Sequence, residues 1–340
     1  MTSENTNSTN NKPKRTLKFA SLLPLIIAFV ILVLIIFAII RIIIWNRGES
    51  IDNLPDTSLD LSTETNDYLF FQNPTFLEGN TGYDGSFDVV LIGNDMYLYE
   101  KDGKSISDLL EEDLNGKFYN CALKGSRLCA KNDRWDNTFP ENNYSLDAFS
   151  YFWLSDSIQH QDYSFQWQEL EKLPAEIDKA HYSEVLKRLE SIDFNTIDLI
   201  LVCYDGRDFL DGAPGAVPGD PYSIVSMAGA MGASYEKYTI NYPFLQQMFV
   251  APTFCYLINE DGSKTGADLP NETAHSLPDC TNYVLSMSMD YSVSYLDNYY
   301  GIPINSETAD NYLLEDGITP NAEGRRLIAN RIVKYINERL

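Results

Sequence analysis

The chain reads as an α/β domain with a mainly parallel sheet of about five strands, preceded by one membrane-crossing helix. Three observations predict this. Apolar runs alternate with stretches of helical periodicity across residues 86–340, without an internal repeat. One of these runs, the strand from Phe87 to Ile92, leads into Gly93, where the chain must turn tightly before the next element. Far upstream, an uncharged and almost wholly apolar stretch extends from Phe19 to Ile40.

Residues 1–18 are polar and rich in Asn, Thr and Ser, the composition of a disordered tail. At about 1.5 Å rise per residue, roughly 20 residues cross a hydrocarbon core, so residues 19–45 are expected to form a transmembrane helix. The alternative is a signal peptide, but the apolar stretch is too long and no small-x-small cleavage pattern follows it. Lys12, Lys14, Arg15 and Lys18 precede the helix, whereas Arg41 and Arg47 are soon diluted by acidic residues. This balance puts the N-terminus in the cytoplasm and the later chain outside a cell membrane. Residues 46–85 are acidic and turn-rich with a few aromatics (Tyr68, Phe70, Phe71), and read as a stalk packing partly on the domain.

Within 86–340, strands are expected at Phe87–Ile92, Phe118–Ala122, Asp198–Cys203 and Gln247–Ala251, with a short fifth near Ile302–Ile304. Helices are expected at Ser105–Leu114, Ala175–Leu189, Ser223–Asn241, Asp279–Tyr299 and Ala322–Leu340. The last carries an apolar face of Leu327, Ile328, Ile332, Val333 and Ile336, suited to packing on a sheet. Residues 131–170 are too long for an ordinary connection and read as an aromatic insertion near the sheet rim. Its aromatics, among them Trp135, Tyr144, Trp153 and Trp167, either line a glycan groove or pack on helices and sheet.

The formal net charge is −24, which argues against nucleic-acid binding through phosphates and fits a polyanionic partner poorly. Neutral or cationic glycans and peptides suit it better, so a neutral glycan, acylated polysaccharide or an envelope protein is the expected partner; acidity also simply favours solubility. The five cysteines form no CxxC, so neither metal, haem nor redox cofactor is implied. Cys121 with Cys129, or Cys255 with Cys280, are pairings that spacing alone leaves open. His160, His181 and His275 show no ligand spacing.

In an open parallel sheet, ligands sit at the carboxyl ends of the strands. Four segments should converge there: Gly93-Asn94-Asp95, Leu123 to Ser126, Tyr204 to Asp208, and Asp316-Gly317-Ile318-Thr319-Pro320-Asn321. Their order, spacing and wording resemble the SGNH (GDSL-type) hydrolases, three-layer α/β/α esterases with a flavodoxin-like sheet. The segments Ser226–Ala230 and Ala251–Phe254 extend the likeness, which covers roughly residues 86–340. In that family the first block reads Gly-Asp-Ser, with serine the nucleophile. A glycine in the second block and an asparagine in the third form the oxyanion hole. The last block reads Asp-x-x-His-Pro-Asn, with histidine the general base.

Carried onto this chain, the family serine falls on Asp95 and the aspartate before it on Asn94. The second-block glycine is Gly125. The third-block glycine becomes Asp205, its asparagine Arg207, and its aspartate is kept as Asp208. Asp316 is kept, while the histidine becomes Thr319, followed by Pro320 and Asn321. Acyl transfer needs a hydroxyl, a base and a group orienting that base. Threonine is no base near neutrality, and Asp95 would form an anhydride without support. An Asp95–Arg207 ion pair filling the old site is therefore expected, since buried charges need partners. Asn94, Asp95, Gly125, Arg207 and Asp208 are the candidate ligand-binding set.

The residues offer two other routes. His275 or His160 would have to fold over the site to restore a base. Asp95, Asp205, Asp208 and Asp316 would have to gather around a hard cation, which Arg207 opposes; Asp316 can instead simply fix its own loop. The expected protein is thus a membrane-anchored, extracytoplasmic domain lacking the Ser/His pair, serving binding or scaffolding in the cell envelope. The alternative is an esterase or O-deacetylase of acetylated envelope polysaccharide using unconventional residues. A third reading makes the aromatic insertion an interface with another envelope protein.

Overall fold

The computed structural model describes residues 65–69, 82–139 and 142–338. The expected transmembrane helix (19–45), the tail before it and most of the stalk lie outside these. Among the described residues no helix is long and apolar enough to cross a membrane.

The first strand, β1 (Val89–Gly93), is wholly buried. After a 3-10 turn at Asp95–Tyr97 comes α1 (Ile106–Asp113), started by a capping box in which Ser105 and Asp108 bond each other's amides. Then follow β2 (Phe118–Asn120), α2 (Tyr151–His160), α3 (Ser164–Leu170) and α4 (Lys179–Ser191). Helix α4 starts later than the sequence suggests, because Asp178, not Pro174, supplies the cap by accepting from the Ala180 and His181 amides. Next are β3 (Leu199–Cys203), a one-turn helix at Arg207–Leu210, α5 (Met227–Asn241) and β4 (Gln246–Val250). A hairpin of β5 (Tyr256–Ile258) and β6 (Lys264–Gly266) precedes α6 (Leu277–Asp290), β7 (Ser294–Leu296) and α7 (Ala322–Asn337).

The main sheet is five-stranded, ordered β2-β1-β3-β4-β7, and every pairing is parallel. This is the doubly wound order in which the strand sequence reverses between β1 and β3. All residues of β1, β3 and β4 are buried, so both faces are covered. One helix group is α1 against α7; the other runs from α4 through α3 and α2 to α5 and α6.

The fifth strand corrects the sequence reading. It lies at Ser294–Leu296, inside the stretch expected to be helical to Tyr299, and not at Ile302–Ile304. The helix stops at Asp290 because Ser292 takes a left-handed φ of 54°, after which Val293 to Leu296 are all buried in the edge strand. Residues 131–170 are also more than a rim insertion. Helix α2 packs on α5, where the Tyr238 hydroxyl meets Ser155 Oγ at 2.9 Å and Tyr242 donates to the Ile158 carbonyl. Phe149, Tyr151 and Tyr163 enter the core, and Trp135, Trp153 and Phe165 stack edge-to-face. Phe139, 53% exposed, is the one large hydrophobic of that stretch left largely in solvent among the described residues.

The stalk contributes a short clasp. Tyr68 pairs antiparallel with Tyr295 of β7, and the Asp67 carboxylate accepts from Arg331 Nη2 at 2.8 Å and from the Asp297 amide. All five cysteines are buried and free, so neither pairing left open by the sequence is formed. Burial pushes the Cys121 thiol up to about 12, which keeps it an inert apolar filler.

Candidate functional site

The turn after β1 brings the site together at the carboxyl end of the sheet, where the strand order reverses. Gly93 is required there: a Cβ would stand 2.1 Å from the Cys203 carbonyl oxygen of β3. Asn94 is fully buried and acts as a brace, not a rim donor. Its Nδ2 donates to Asp205 Oδ1 at 3.0 Å, and its Oδ1 accepts from the Asp205 amide at 3.2 Å. The altered first and third blocks are thereby bonded to each other.

Asp95 follows, one-fifth exposed. Its Oδ2 accepts from the Gly125 amide at 2.5 Å and from Arg207 Nη1 at 2.7 Å. Gly125 has a φ of +85°, a conformation only glycine adopts without strain, and this turns its amide toward Asp95. The ion pair expected from the sequence is present. Arg207 is also held from behind: its Nη2 lies 3.4 Å from Asp205 Oδ2, and its amide donates to Asp205 Oδ1 at 3.0 Å. Burial alone would lower the Arg207 pKa, yet Asp205 and Asp95 together hold it above the ordinary guanidinium value. Burial pushes the Asp205 carboxyl up, against the pull of Arg207 and Asn94.

One oxygen of Asp95 therefore takes both the Gly125 amide and the Arg207 guanidinium.

The segment before the last helix is held by one carboxylate. Asp316 Oδ1 accepts from the Ile318 and Thr319 amides, and Oδ2 accepts from the Thr319 hydroxyl at 2.5 Å. Burial would raise the Asp316 pKa, but these bonds from Thr319 and Ile318 bring it below the usual carboxylate value. Asp316 is thus committed to its own loop through Thr319 and Ile318. Asp208 is fully buried and turns inward, accepting from the Leu128 and Cys129 amides at 3.0 and 3.1 Å and from Arg127 Nε at 3.3 Å. It shapes the neighbouring loop and presents no free oxygen.

Neither histidine considered as a substitute base reaches this centre. His160 lies at the end of α2, with Nδ1 on the Asp156 carbonyl. His275 packs edge-to-face on Tyr283 and makes no hydrogen bond or ion pair with Asp95, Arg207 or Asp316. His181 bonds the Ala122 carbonyl. Since Asp208 and Asp316 are bound to their own loops, the four aspartates do not gather. Among the described residues no group of three or more His, Cys, Asp or Glu is placed to hold a metal.

Sequence reasoning missed Arg325, which is completely buried. It donates to the Lys104 and Pro320 carbonyls at 2.9 Å and to Asp102 Oδ1 at 2.5 Å. It thereby ties the loop after Asp95 to the Asp316–Asn321 block. Its signal was available, because position 325 stands one turn before Ile328 and Ile332 on the apolar stripe of α7.

Two cavities open beside the centre. One, of about 300 Å³, is lined by Phe209, Leu257, Leu269 and Pro270 among others. The other, of about 530 Å³, is lined by Arg127, Lys131, Asp211, Ala213, Pro214 and Val225 among others. Asp95, Gly125 and Arg207 line neither.

No protein-family model matches the chain, and no curated protein matches it in sequence. Solved structures do. One is 18% identical, covers 76% of this chain and 98% of its own, and superposes with a TM-score of 0.51. A Lactobacillus plantarum protein is 16% identical over 75% of this chain and 98% of its own, with a TM-score of 0.46. A structure described as a possible lipase from Chitinophaga pinensis is 13% identical over 74% of this chain and 98% of its own, also at 0.46. The first of these supports a shared fold. At such identities the comparisons carry no chemistry to this chain.

Proposed function

We propose that this is an SGNH hydrolase-like domain without esterase activity, held outside the cell membrane by its N-terminal helix and serving binding or scaffolding in the cell envelope. The observation that carries the reading is the Asp95 carboxylate seated on the Gly125 amide and Arg207. A substrate carbonyl would have to displace a charge-assisted contact, and it would then face neither a hydroxyl nor a base. Thr319 bound to Asp316 supports the same reading, because the aspartate that would orient a histidine is taken.

The test is ester hydrolysis by the full-length protein in detergent, with small acetyl esters and acetylated oligosaccharides, beside Asp95→Asn and the double variant Asp95→Ser/Thr319→His. The wild type should match background. The double variant restores the hydroxyl and base over a retained frame, and should give slow, serine-dependent turnover. Wild-type turnover lost in Asp95→Asn would make Asp95 a working residue and replace this reading with that of an unconventional O-deacetylase.

A further inference from the structure

The larger cavity has a built wall. Residues 127–132 are fixed by two buried carboxylates: Asp208 takes the Leu128 and Cys129 amides, and Asp147 takes those of Lys131 and Asn132 at 2.7 and 2.9 Å. The Ala130 amide donates to the Ile224 carbonyl at 2.9 Å, tying this wall to the opposite one at Val225. Burying two carboxylates is costly, and the result is a loop that cannot collapse into the space beside it.

The polar groups on the rim are incompletely used. Arg127 is only 11% exposed; its Nε goes to Asp208 and its Nη1 to Asp211 at 2.7 Å, while Nη2 has no hydrogen-bond partner among the described residues. Asp211 accepts through Oδ2 alone and is half exposed. The Lys131 ammonium stands 4.2 Å over the Tyr144 ring, outside any ion pair among the described residues. Donors and an acceptor thus meet at one rim, above a floor of short side chains (Ala130, Gly212, Ala213, Pro214, Val225).

We propose that this cavity binds one or two neutral, hydroxyl-bearing sugar units of a glycan chain. Sugar hydroxyls would accept from Arg127 Nη2 and Lys131 Nζ and donate to the free oxygen of Asp211. Arg127 and Lys131 stand against Asp208, Asp211 and Asp147, so the site has no surplus of positive charge and an acidic ligand gains nothing here. Such a ligand is further repelled by the chain's net charge of −24. The volume of about 530 Å³ suits a small-ligand site. The choice of a glycan rests on the binding role proposed above; the location does not.

The experiment is calorimetric titration of the full-length protein, in a detergent without a sugar headgroup, with maltotetraose, cellotetraose, chitotetraose and tetragalacturonate. At least one neutral tetramer should bind saturably, and the uronate at least about tenfold more weakly. Lys131→Ala and Asp211→Ala should each weaken the neutral tetramer by about tenfold; both side chains are at the surface, so their melting temperatures should stay within a few degrees of wild type. No binding by any neutral tetramer, unchanged affinity in both variants, or preference for the uronate would overturn the proposal. Ester hydrolysis on the same samples separates the two readings. Turnover with tetramer binding intact removes the non-catalytic reading alone, whereas neither turnover nor binding removes the cavity proposal alone.

Discussion

Asp95 behaves as a resident anion of the hole that the Gly125 amide and Arg207 create. Removing the carboxylate should leave that hole open to a small anion. Asp95→Ala is expected to lose about 1–2 kcal/mol of stability. Formate at a few hundred millimolar should then raise the variant's melting temperature by roughly 2–4 °C beyond its effect on wild type. A variant indifferent to formate, compared with chloride at equal ionic strength, would mean the pocket has closed. At the opposite end of the strands, Asp198 accepts from the Asp88 amide through Oδ2, while its buried Oδ1 is unpartnered. Burial, with the nearby Asp88 charge, moves its pKa from 3.8 to about 6. A carboxyl raised in this way holds its proton more tightly when folded. The stability it contributes is therefore complete below about pH 4 and lost as pH rises through 6. Asp198→Asn should be more stable than wild type by about 1–2 kcal/mol at pH 7.5 and nearly equal at pH 4. Urea unfolding at both values checks this; an equal difference at the two would disprove the assignment.

Among the elements, the stalk clasp is the one whose removal can be read directly. Asp67→Ala removes the contacts to Arg331 and to the Asp297 amide, and about 1–3 kcal/mol of local stability should go with them. Hydrogen exchange at the Tyr295 amide, which bonds the Tyr68 carbonyl, should accelerate at least about tenfold while β3 amides remain protected. Uniform acceleration would instead indicate a global effect. Strands β1, β3 and β4 were legible to within a residue or two, because short apolar runs bounded by turn residues have few other uses. Strand β7 was not. It is three residues long and follows a helix without proline or glycine, its boundary being made by the backbone of Ser292. The hairpin of β5 and β6 escaped for a related reason: Leu257 and Ile258 are both exposed, so no alternation marks a buried face.

For the molecule as a whole, the meeting of Asp95, Gly125 and Arg207 at the carboxyl end of the sheet was readable, and so was the Asp95–Arg207 ion pair. What sequence could not give is where each polar group faces. Asp208 looked like a ligand-facing carboxylate and is turned into a loop, and the fully buried Arg325 went unnoticed among the charged residues of the last helix. Arg325 joins the two blocks that flank the centre from opposite ends of the domain sequence. Arg325→Met should cost about 1–3 kcal/mol, chiefly by leaving the Lys104 and Pro320 carbonyls without their donor, because the half-exposed Asp102 can turn to water. Chemical unfolding measures this, and a loss under about 1 kcal/mol would show that the guanidinium is dispensable.

The clasp also has a consequence for anyone shortening this protein. A fragment beginning at residue 86, where the apolar pattern starts, would discard Asp67 and Tyr68 and strip the outer margin of β7, leaving Arg331 without its carboxylate. Bare strand margins recruit other chains, so such a fragment should self-associate in a concentration-dependent way, whereas one that begins upstream of Thr65 should remain a single species.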